Sequence, residues 1–317
     1  MRVLVTGGAG FIGSRVVERL LADDHDVVVL DNFSNGSRDN LAAVESHSGL
    51  RDVISGDVAD EAAVAAAWQP GVDVCLHLAA EGQVQKTLDE PQHALRDNII
   101  GTYVPLMEAR RHDTRFVFMS SCMVYGSADA GESLDEGSAT VPLSVYAATK
   151  LAGEQATLAF HHTYGLPVLV LRPFNTYGPF QKASQEGGVV SIFLQNSLEG
   201  CRHRVFGDGT QTRDLLYIDD CADFVVRAAL AEHVTGEIVN AGTGRETSVL
   251  DLAGLVDGNN SQVEHVPHIH SQCEIEHMLC DASKAERLLE WTPRVELEDG
   301  LARTRAWLAE QKEGTLS

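Results

Sequence analysis

A glycine-rich loop between a short strand and a helix is the feature that most constrains the fold of this chain. The β-branched run 2–6 stops at a loop that carries Gly7, Gly10 and Gly13, and apolar residues then recur at helical spacing. Gly7 permits a tight turn, Gly10 lets the backbone approach a pyrophosphate, and Gly13 lets the helix pack closely on the strand. The helix N-terminus adds free N–H groups and a partial positive charge. The loop therefore predicts a dinucleotide-binding site.

An acidic residue ends the second apolar run. Asp31 follows 27–30 and lies roughly twenty residues beyond the loop, where a carboxylate can accept hydrogen bonds from both hydroxyls of an adenosine ribose. The same carboxylate repels a 2′-phosphate. This pattern favours NAD over NADP, although Arg38 nearby is a residue type that accommodates a 2′-phosphate.

Strand-like and helical segments alternate through the first half of the chain. After the second run we predict a strand ending at 54, a helix over 60–68, a strand over 72–78, a helix over about 91–111, a strand over 116–119, a helix to about 164 and a strand over 167–171. Strands separated by helices predict a parallel sheet that is covered on both faces and binds ligands at the carboxyl ends of its strands. The predicted fold class is α/β, with a Rossmann-type doubly wound parallel sheet.

The alternation becomes irregular after residue 172. Predicted elements are helices over 186–199, 219–231, 248–256, 282–290 and 297–311 and strands over 203–206, 213–217 and 237–240. We expect residues 1–172 to form an NAD-binding Rossmann domain, with returning segments from about 210–245. Residues 173–317 are expected to form mainly a smaller C-terminal α/β substrate-binding lobe.

Tyr146 and Lys150 stand four residues apart in a predicted helix, so both side chains can point into the same space. An unperturbed phenol titrates near ~10, and a nearby cation favours the phenolate. The pair thus predicts a tyrosine that serves as a base near neutral pH. Taken alone, the same spacing also suits an ordinary amphipathic helix.

Charge and cysteine usage narrow the classes of partner. The chain has 24 Lys and Arg against 46 Asp and Glu, a net charge of −22 that disfavours nucleic acid and anionic membranes as partners. A salt-adapted source would explain the acidic excess together with the scarcity of lysine, whereas a GC-rich genome would explain the lysines alone. We expect no signal peptide and no membrane span. Six cysteines without a C-x-x-C pair indicate reduced thiols and a cytoplasmic location.

The ordered motifs resemble the extended short-chain dehydrogenase/reductase family, specifically its nucleotide-sugar epimerase and dehydratase branch. The resemblance runs from Val3 to about Leu308, and its anchors are 6–13, 31–33, 56–58, 77–80, Asn98, 120–126, Tyr146 with Lys150, 172–179, 207–214 and 281–285. It implies bound NAD and a nucleoside-diphosphate sugar, UDP-linked, that is oxidised at C4. It also suggests a homodimer formed through the helices near 91–111 and 145–164.

The resemblance implies a role for each site residue. Tyr146 takes the proton of the 4-hydroxyl, Lys150 holds the nicotinamide ribose and lowers the tyrosine pKa, and Ser121 bonds the reacting oxygen. Implied cofactor contacts are Gly7, Gly10, Phe11, Ile12, Gly13, Asp31, Asn32, Asp57, Val58, Leu78, Ala79, Ala80, Asn98, Ser120, Tyr146, Lys150 and Pro173. Implied substrate contacts are Glu81, Ser121, Cys122, Met123, Tyr146, Asn175, Val189, Arg213 and Met278, with Asn175 and Arg213 on the diphosphate.

The segment 121–123 and the residue Glu81 bear on which branch of the family the chain resembles. Dehydratases carry Thr-Asp-Glu where this chain has Ser121, Cys122 and Met123, and Met123 cannot transfer a proton. A site that only oxidises and re-reduces C4 makes this chain resemble a 4-epimerase, which needs no metal. Glu81 keeps a 4,6-dehydratase open, and a 4-ketoreductase and a non-catalytic NAD-sensing protein are further alternatives.

The C-terminal part holds a departure from the family pattern and a histidine cluster. The second diphosphate arginine of the family falls at Ser271, where His268 or His270 is a candidate substitute. The cluster His265, His268, His270, Cys273 and His277 matches no standard zinc spacing. We therefore predict a polar surface strand there and no metal site.

Overall fold

Seven parallel strands form the central sheet of this computed structural model, which describes residues 1–182, 188–258, 262–268 and 271–315. The strands in these residues are β1 (Arg2–Thr6), β2 (Asp26–Asp31), β3 (Leu50–Ser55), β4 (Val74–His77), β5 (Arg115–Met119), β6 (Val168–Pro173), β7 (Asn175–Tyr177), β8 (His203–Phe206), β9 (Thr212–Tyr217), β10 (Glu237–Ala241), β11 (Glu246–Ser248) and β12 (Val263–Val266). The order of the central sheet is β10-β6-β5-β4-β1-β2-β3. The predicted α/β Rossmann-type class is confirmed.

Eleven α-helices in the described residues surround the sheets. They are α1 (Phe11–Ala22), α2 (Glu61–Ala67), α3 (Val84–Asp89), α4 (Pro91–Leu95), α5 (Gly101–His112), α6 (Val145–Tyr164), α7 (Val189–Glu199), α8 (Ile218–Leu230), α9 (Val249–Asp257), α10 (Ser283–Leu289) and α11 (Leu297–Thr315). Short 3-10 turns cover Arg38–Val44, Cys122–Val124 and Ser271–Cys273. None of the helices described is long and apolar enough to cross a membrane.

The central strands are apolar on both faces because helices cover both faces. Val3 and Val5 of β1 join the core that contains α1 and α8, whereas Leu4 between them joins the core that contains α2 and α5. Successive strand residues point to opposite faces, so a continuous apolar run fits a sheet buried twice. Because both faces of these strands are buried, the polar side chains that can meet a ligand lie at the strand ends.

The predicted helix over 91–111 is wrong in detail, because a π-helical turn, Arg96–Ile100, separates α4 from α5. The turn carries Asn98, whose amide group bonds the backbone of Glu81 and the hydroxyl of Thr149. A π turn adds one residue to a helical turn and often marks a functional region. The interruption thus lets a buried amide hold the segment after β4.

Segments after residue 173 contribute to more than one layer. β10 pairs with β6 in the central sheet, and α8 packs against α1. The smaller sheets have the orders β11-β9-β7 and β12-β8. A separate apolar core, which includes Phe193, Val205 and Leu252, joins these smaller elements. β12 contains His265 and agrees with the polar surface strand predicted there, whereas β7, β11 and α3 have no counterpart in the sequence prediction.

Candidate active site

A cleft of about 1240 Å³ opens at the carboxyl ends of the central strands. The predicted site residues that line it are Gly7, Gly10, Phe11, Ile12, Gly13, Asp31, Asn32, Asp57, Val58, Leu78, Ala79, Ala80, Glu81, Ser120, Ser121, Cys122, Met123, Tyr146, Lys150, Pro173, Asn175 and Arg213. The order β3-β2-β1-β4 places the ends of β1 and β4 side by side, which is where the chain reverses direction across the sheet.

The glycine loop leaves no room for side chains on the inner side of its turn. Gly7 has a φ of +70°, and a methyl group added to it would lie 2.8 Å from the backbone of Ala79. A methyl group on Gly13 would lie 2.0 Å from the carbonyl oxygen of Gly7. Gly10 precedes α1 without a side-chain cap, so the first N–H groups of this 12-residue helix remain for a ligand. The loop therefore fits a pyrophosphate.

The Asp31 carboxylate ties the end of β2 to this loop. One of its oxygens accepts a hydrogen bond from the Ala9 N–H at 2.9 Å, and the other accepts one from the Phe33 N–H at 2.8 Å. Each carboxylate oxygen has a second lone pair, so Asp31 can still accept bonds from a ligand in the cleft. This donor set fits the ribose of an NAD adenosine.

A buried polar chain supports the end of β4 beneath the cleft. Nδ1 of His77 lies 2.8 Å from the Thr6 hydroxyl, and Nε2 lies 3.2 Å from the Thr102 hydroxyl. The Thr6 hydroxyl also accepts a bond from the Ala79 N–H. Burial lowers the pKa of His77 to about 3, and the charge of Lys150 adds to this effect. His77 is thus neutral, and its bond with Thr6 helps to fix residues 78–80.

Tyr146 and Lys150 both face the cleft from the first two turns of α6. The helix begins here because the Ser144 hydroxyl accepts a bond from the Ala147 N–H at 3.1 Å, which is an N-cap. Burial raises the pKa of Tyr146 to about 12, and a hydrogen bond with Ser121 opposes this rise. Ser121, rather than Lys150, is thus the side chain that favours the phenolate.

The Lys150 ammonium has a different partner from the one the spacing predicted. Nζ donates to the carbonyl oxygen of Met119 at 2.8 Å, which joins α6 to the end of β5. Burial lowers the pKa of Lys150 to about 8, and the charge of Glu154 opposes the shift. That Lys150 lowers the pKa of Tyr146 stays a prediction, since burial, Ser121 and Cys122 are what shift this pKa in the ligand-free structure.

A fully buried ion pair lies behind these residues. Glu154 accepts two hydrogen bonds from the Arg172 guanidinium, at 2.8 and 2.6 Å, and a third from the Ser120 hydroxyl at 2.5 Å. Arg172 also donates to the Tyr125 hydroxyl, which in turn donates to the Asn240 side chain. The network joins α6 to β5, β6 and β10 and fixes one wall of the cleft.

The side chain of Cys122 contacts the sulfur of Met278 and the amide oxygen of Asn175. Cys122 is 2% exposed, and its Sγ lies 4.0 Å from Oδ1 of Asn175 and 3.9 Å from Sδ of Met278. Burial raises the pKa of the Cys122 thiol to about 12, although the charge of Arg213 opposes the rise. Cys122 is therefore a neutral thiol, and Met123 beside it carries no ionisable group.

The Glu81 carboxylate is held on both oxygens. One accepts bonds from the Asn35 amide and the Gln83 N–H, at 3.1 and 3.0 Å, and the other pairs with Nζ of Lys86 at 2.6 Å. Glu81 is 5% exposed. Both carboxylate oxygens of Glu81 are therefore already occupied by partners from the chain itself.

Three predicted site residues do not line the cleft. Asn98 bonds the backbone of Glu81, Val189 packs beside the small core around Phe193, and Met278 is completely buried against Cys122.

The cleft also has walls that the sequence did not predict. They include Asn35, Gly36, Gln83, Phe180, Gln181, Lys182, Glu274 and Trp307. His268, the candidate substitute for the second diphosphate arginine, also lines the cleft. A methyl group on Gly36 would lie 2.6 Å from the Ala9 carbonyl oxygen, so the Asn-Gly pair after Asp31 was a usable signal for a second tight loop. The other residues come together only through the fold.

The histidine cluster is dispersed in the described residues. His265 bonds the Gly207 carbonyl oxygen, His268 pairs with Glu274, and His277 lies 3.3 Å from the Thr212 hydroxyl. No group of three or more His, Cys, Asp or Glu that could hold a metal occurs in the described part of the chain. His270 and the side chain of Ser271 lie outside the described residues.

Comparison with known proteins gives matches over almost the whole chain. A model of the NAD-dependent epimerase/dehydratase family matches residues 3–242. The UDP-glucose 4-epimerase of Mycolicibacterium smegmatis is 38% identical over 312 residues, which cover 96% of this chain and 97% of the relative. Pal from Bacillus thuringiensis has 45% identity and a TM-score of 0.96 and covers 98% of this chain and 100% of its own. A dTDP-glucose 4,6-dehydratase from Streptomyces venezuelae, solved with NAD, has 35% identity and a TM-score of 0.91 and covers 99% and 98%.

Proposed function

Because the chain belongs to the NAD-dependent epimerase/dehydratase family, we propose that it epimerises a nucleoside-diphosphate sugar, UDP-linked, at C4. One observation carries the proposal: Tyr146 and Ser121 share a cleft in which Cys122 and Met123 provide no acid or base for elimination. The relatives include both UDP-glucose 4-epimerases and dTDP-glucose 4,6-dehydratases. The choice between an epimerase and a dehydratase rests on Cys122 and Met123.

The cofactor is NAD, which supplies a hydride acceptor and donor when bound. The backbone around Gly7, Gly10 and Gly13 would hold the pyrophosphate, and Asp31 would hold the adenosine ribose. Lys150 lies at the carboxyl end of β5 and would bond the nicotinamide ribose. These assignments are supported by the steric fit of the loop and by the open lone pairs of Asp31.

The catalytic roles follow from the proton that must leave the 4-hydroxyl. Tyr146 takes this proton, and Ser121 bonds the same oxygen and the phenol, which keeps the transfer path short. Because burial holds the tyrosine pKa near 12 in the ligand-free protein, the base needs positive charge close to it, which the oxidised cofactor and Lys150 provide. The resulting 4-keto sugar then turns over and is reduced on its other face.

The side chains that could serve as acid or base in an elimination of water are unsuited to it in this cleft. The Cys122 thiol stays protonated, and Met123 has no proton to exchange. The Glu81 carboxylate is paired with Lys86 and bonded by Asn35. A dehydratase would need one of these groups to cycle its proton near neutral pH.

The remaining assignments concern the lobe and the assembly. Asn175 and Arg213 hold the diphosphate, so residues 173–317 act mainly as the substrate-binding lobe and residues 1–172, with segments from about 210–245, as the NAD-binding domain.

Leu95, Ile100 and Tyr103, which are 46 to 48% exposed around the π turn, support a homodimer through this face. Six free thiols support a cytoplasmic location.

A panel of sugars tests the function directly. The purified protein is incubated with UDP-glucose, UDP-N-acetylglucosamine, UDP-glucuronate and dTDP-glucose, and the products are read by NMR. We expect a C4 epimer of one UDP-sugar and no lasting keto group. A stable 4-keto product would indicate a 4,6-dehydratase instead, and no conversion of any bound sugar would favour the non-catalytic alternative.

Asp31 gives a prediction about cofactor choice. Asp31→Ala removes both the ribose acceptor and the bond to the Ala9 N–H. We expect the Kd for NAD to rise about 10-fold or more, since two charge-assisted hydrogen bonds are lost, and the preference for NAD over NADP to shrink. Fluorescence titration of the apoprotein with both cofactors measures this. Asp39→Ala, at another carboxylate of the same cleft edge, is the control, and equal losses in both variants would contradict the assignment.

A further inference from the structure

One glutamate bridges two cationic or donor groups in the substrate half of the cleft. Nη2 of Arg213 donates to Oε1 of Glu274 at 2.6 Å, and Nε2 of His268 pairs with Oε2 of the same carboxylate. All three side chains line the cleft and are 18 to 24% exposed. In the absence of a ligand, a carboxylate of the chain itself thus occupies the place where an anion would meet these groups.

The other bonds of Arg213 determine which of its donors a ligand can use. Nη1 donates to the carbonyl oxygens of Thr212 and Ile275, at 2.7 and 2.8 Å, which uses both of its hydrogens and fixes the guanidinium. A guanidinium has five N–H donors, so Nε and Nη2 form the edge that remains for a two-point bond with a phosphate. Nη2 is one half of that edge, and Glu274 accepts one of its two hydrogens.

We infer that Glu274 competes with the diphosphate of the substrate for Arg213 and thereby sets the affinity for the nucleotide sugar. This inference rests on the proposed nucleoside-diphosphate substrate. A carboxylate that stays beside a bound diphosphate would repel it, since like charges a few ångströms apart in a partly buried cleft are only weakly screened. Substrate binding therefore moves Glu274 away from Nη2, and His268 keeps its bond with the displaced carboxylate.

The direction in which Glu274→Gln changes diphosphate affinity shows whether Glu274 competes for Arg213 or only orients it. If Glu274 competes, Glu274→Gln frees Nη2 from an ionic partner and tightens diphosphate binding. If Glu274 only orients Arg213, the same change loosens the guanidinium and weakens binding. The two carbonyl bonds of Nη1 hold Arg213 without help from Glu274, so the competitive outcome is the one expected.

Calorimetric titration of the NAD-loaded protein with UDP and with dTDP measures the effect. We expect the Kd for the preferred nucleotide to fall about 10-fold in Glu274→Gln, which corresponds to about 1.4 kcal/mol. Glu246→Gln is the matched control, because it removes the same charge from β11, where Glu246 bonds the hydroxyl of Thr212 next to Arg213. We expect the control to stay within about twofold of the unmodified protein.

Three outcomes overturn the inference: weaker or unchanged binding in Glu274→Gln, equal tightening in both variants, or no binding of either nucleotide. A crystal structure with UDP in which Glu274 still contacts Nη2 of Arg213 also overturns it. Failure of the proposed function looks different, because it leaves the order of Kd values intact while the sugar panel yields no C4 epimer. Conversely, epimerisation without tighter UDP binding in Glu274→Gln removes the competition alone.

Discussion

Tyr146→Phe should lower turnover of the preferred nucleotide sugar by ~10²–10⁴-fold, the range that a positioned general base contributes. The phenol is the ionisable hydroxyl that α6 presents to the cleft, and Ser121 bonds it from the end of β5. Phenylalanine keeps the ring and removes the group that takes the proton. NAD content should stay unchanged, since the glycine loop and Asp31 do not contact this hydroxyl.

The measurement compares initial rates with the absorbance of bound cofactor in the same preparation. Tyr164→Phe is the matched control, because it removes a half-exposed hydroxyl at the far end of the same helix. Ser121→Ala should fall between the two variants, as it removes the bond that opposes the rise in the Tyr146 pKa. A Tyr146→Phe protein with normal rates would require another base.

Local patterns explain why the cofactor half of the cleft could be predicted. The glycine loop, the acid at Asp31 and the Tyr146–Lys150 spacing each lie within one strand–turn–helix unit or one helix, where neighbours in sequence are neighbours in space. The parallel arrangement of the central strands follows from the alternation of strands and helices. The predicted class and the strand ends on the cleft thus needed no long-range information.

Long-range contacts explain what the sequence did not reveal. The Asn35 amide that bonds Glu81 comes from the loop after β2, 46 residues away, and the partner of Arg213 lies about 60 residues further along the chain. The partner of Lys150 is a backbone carbonyl, which no residue type encodes. The π turn at Asn98 likewise depends on a bond to the segment after β4. Each requires the tertiary fold first.

The buried ion pair behind the catalytic helix illustrates how the fold stabilises the site. Burial acts to lower the pKa of Arg172, but the bonds and charge of Glu154 outweigh it and raise the pKa above its usual range. Glu154 is completely buried and accepts three hydrogen bonds. A buried pair of this kind can contribute little net stability while it is intact, yet its loss on one side is costly.

Arg172→Met should therefore destabilise the protein by about 3–5 kcal/mol, because it leaves the Glu154 carboxylate buried with the Ser120 hydroxyl as its remaining side-chain partner. Glu154→Leu together with Arg172→Met should be less destabilising than the single change, since neither partner of the pair is left buried without the other. Urea unfolding followed by circular dichroism measures both proteins. Arg245→Met, which breaks the exposed pair with Glu296, is the control and should cost less than about 1 kcal/mol.

A double variant no more stable than Arg172→Met would show that the network stabilises through its shape and not through charge compensation. Activity gives a second readout, because Glu154 also bonds the Ser120 hydroxyl beside Ser121. The double variant should recover stability without recovering full turnover, since a leucine cannot hold the end of β5 in place. Recovery of both quantities together would mean that the pair serves folding alone, and recovery of stability alone would identify Glu154 as a positioning residue for the cleft.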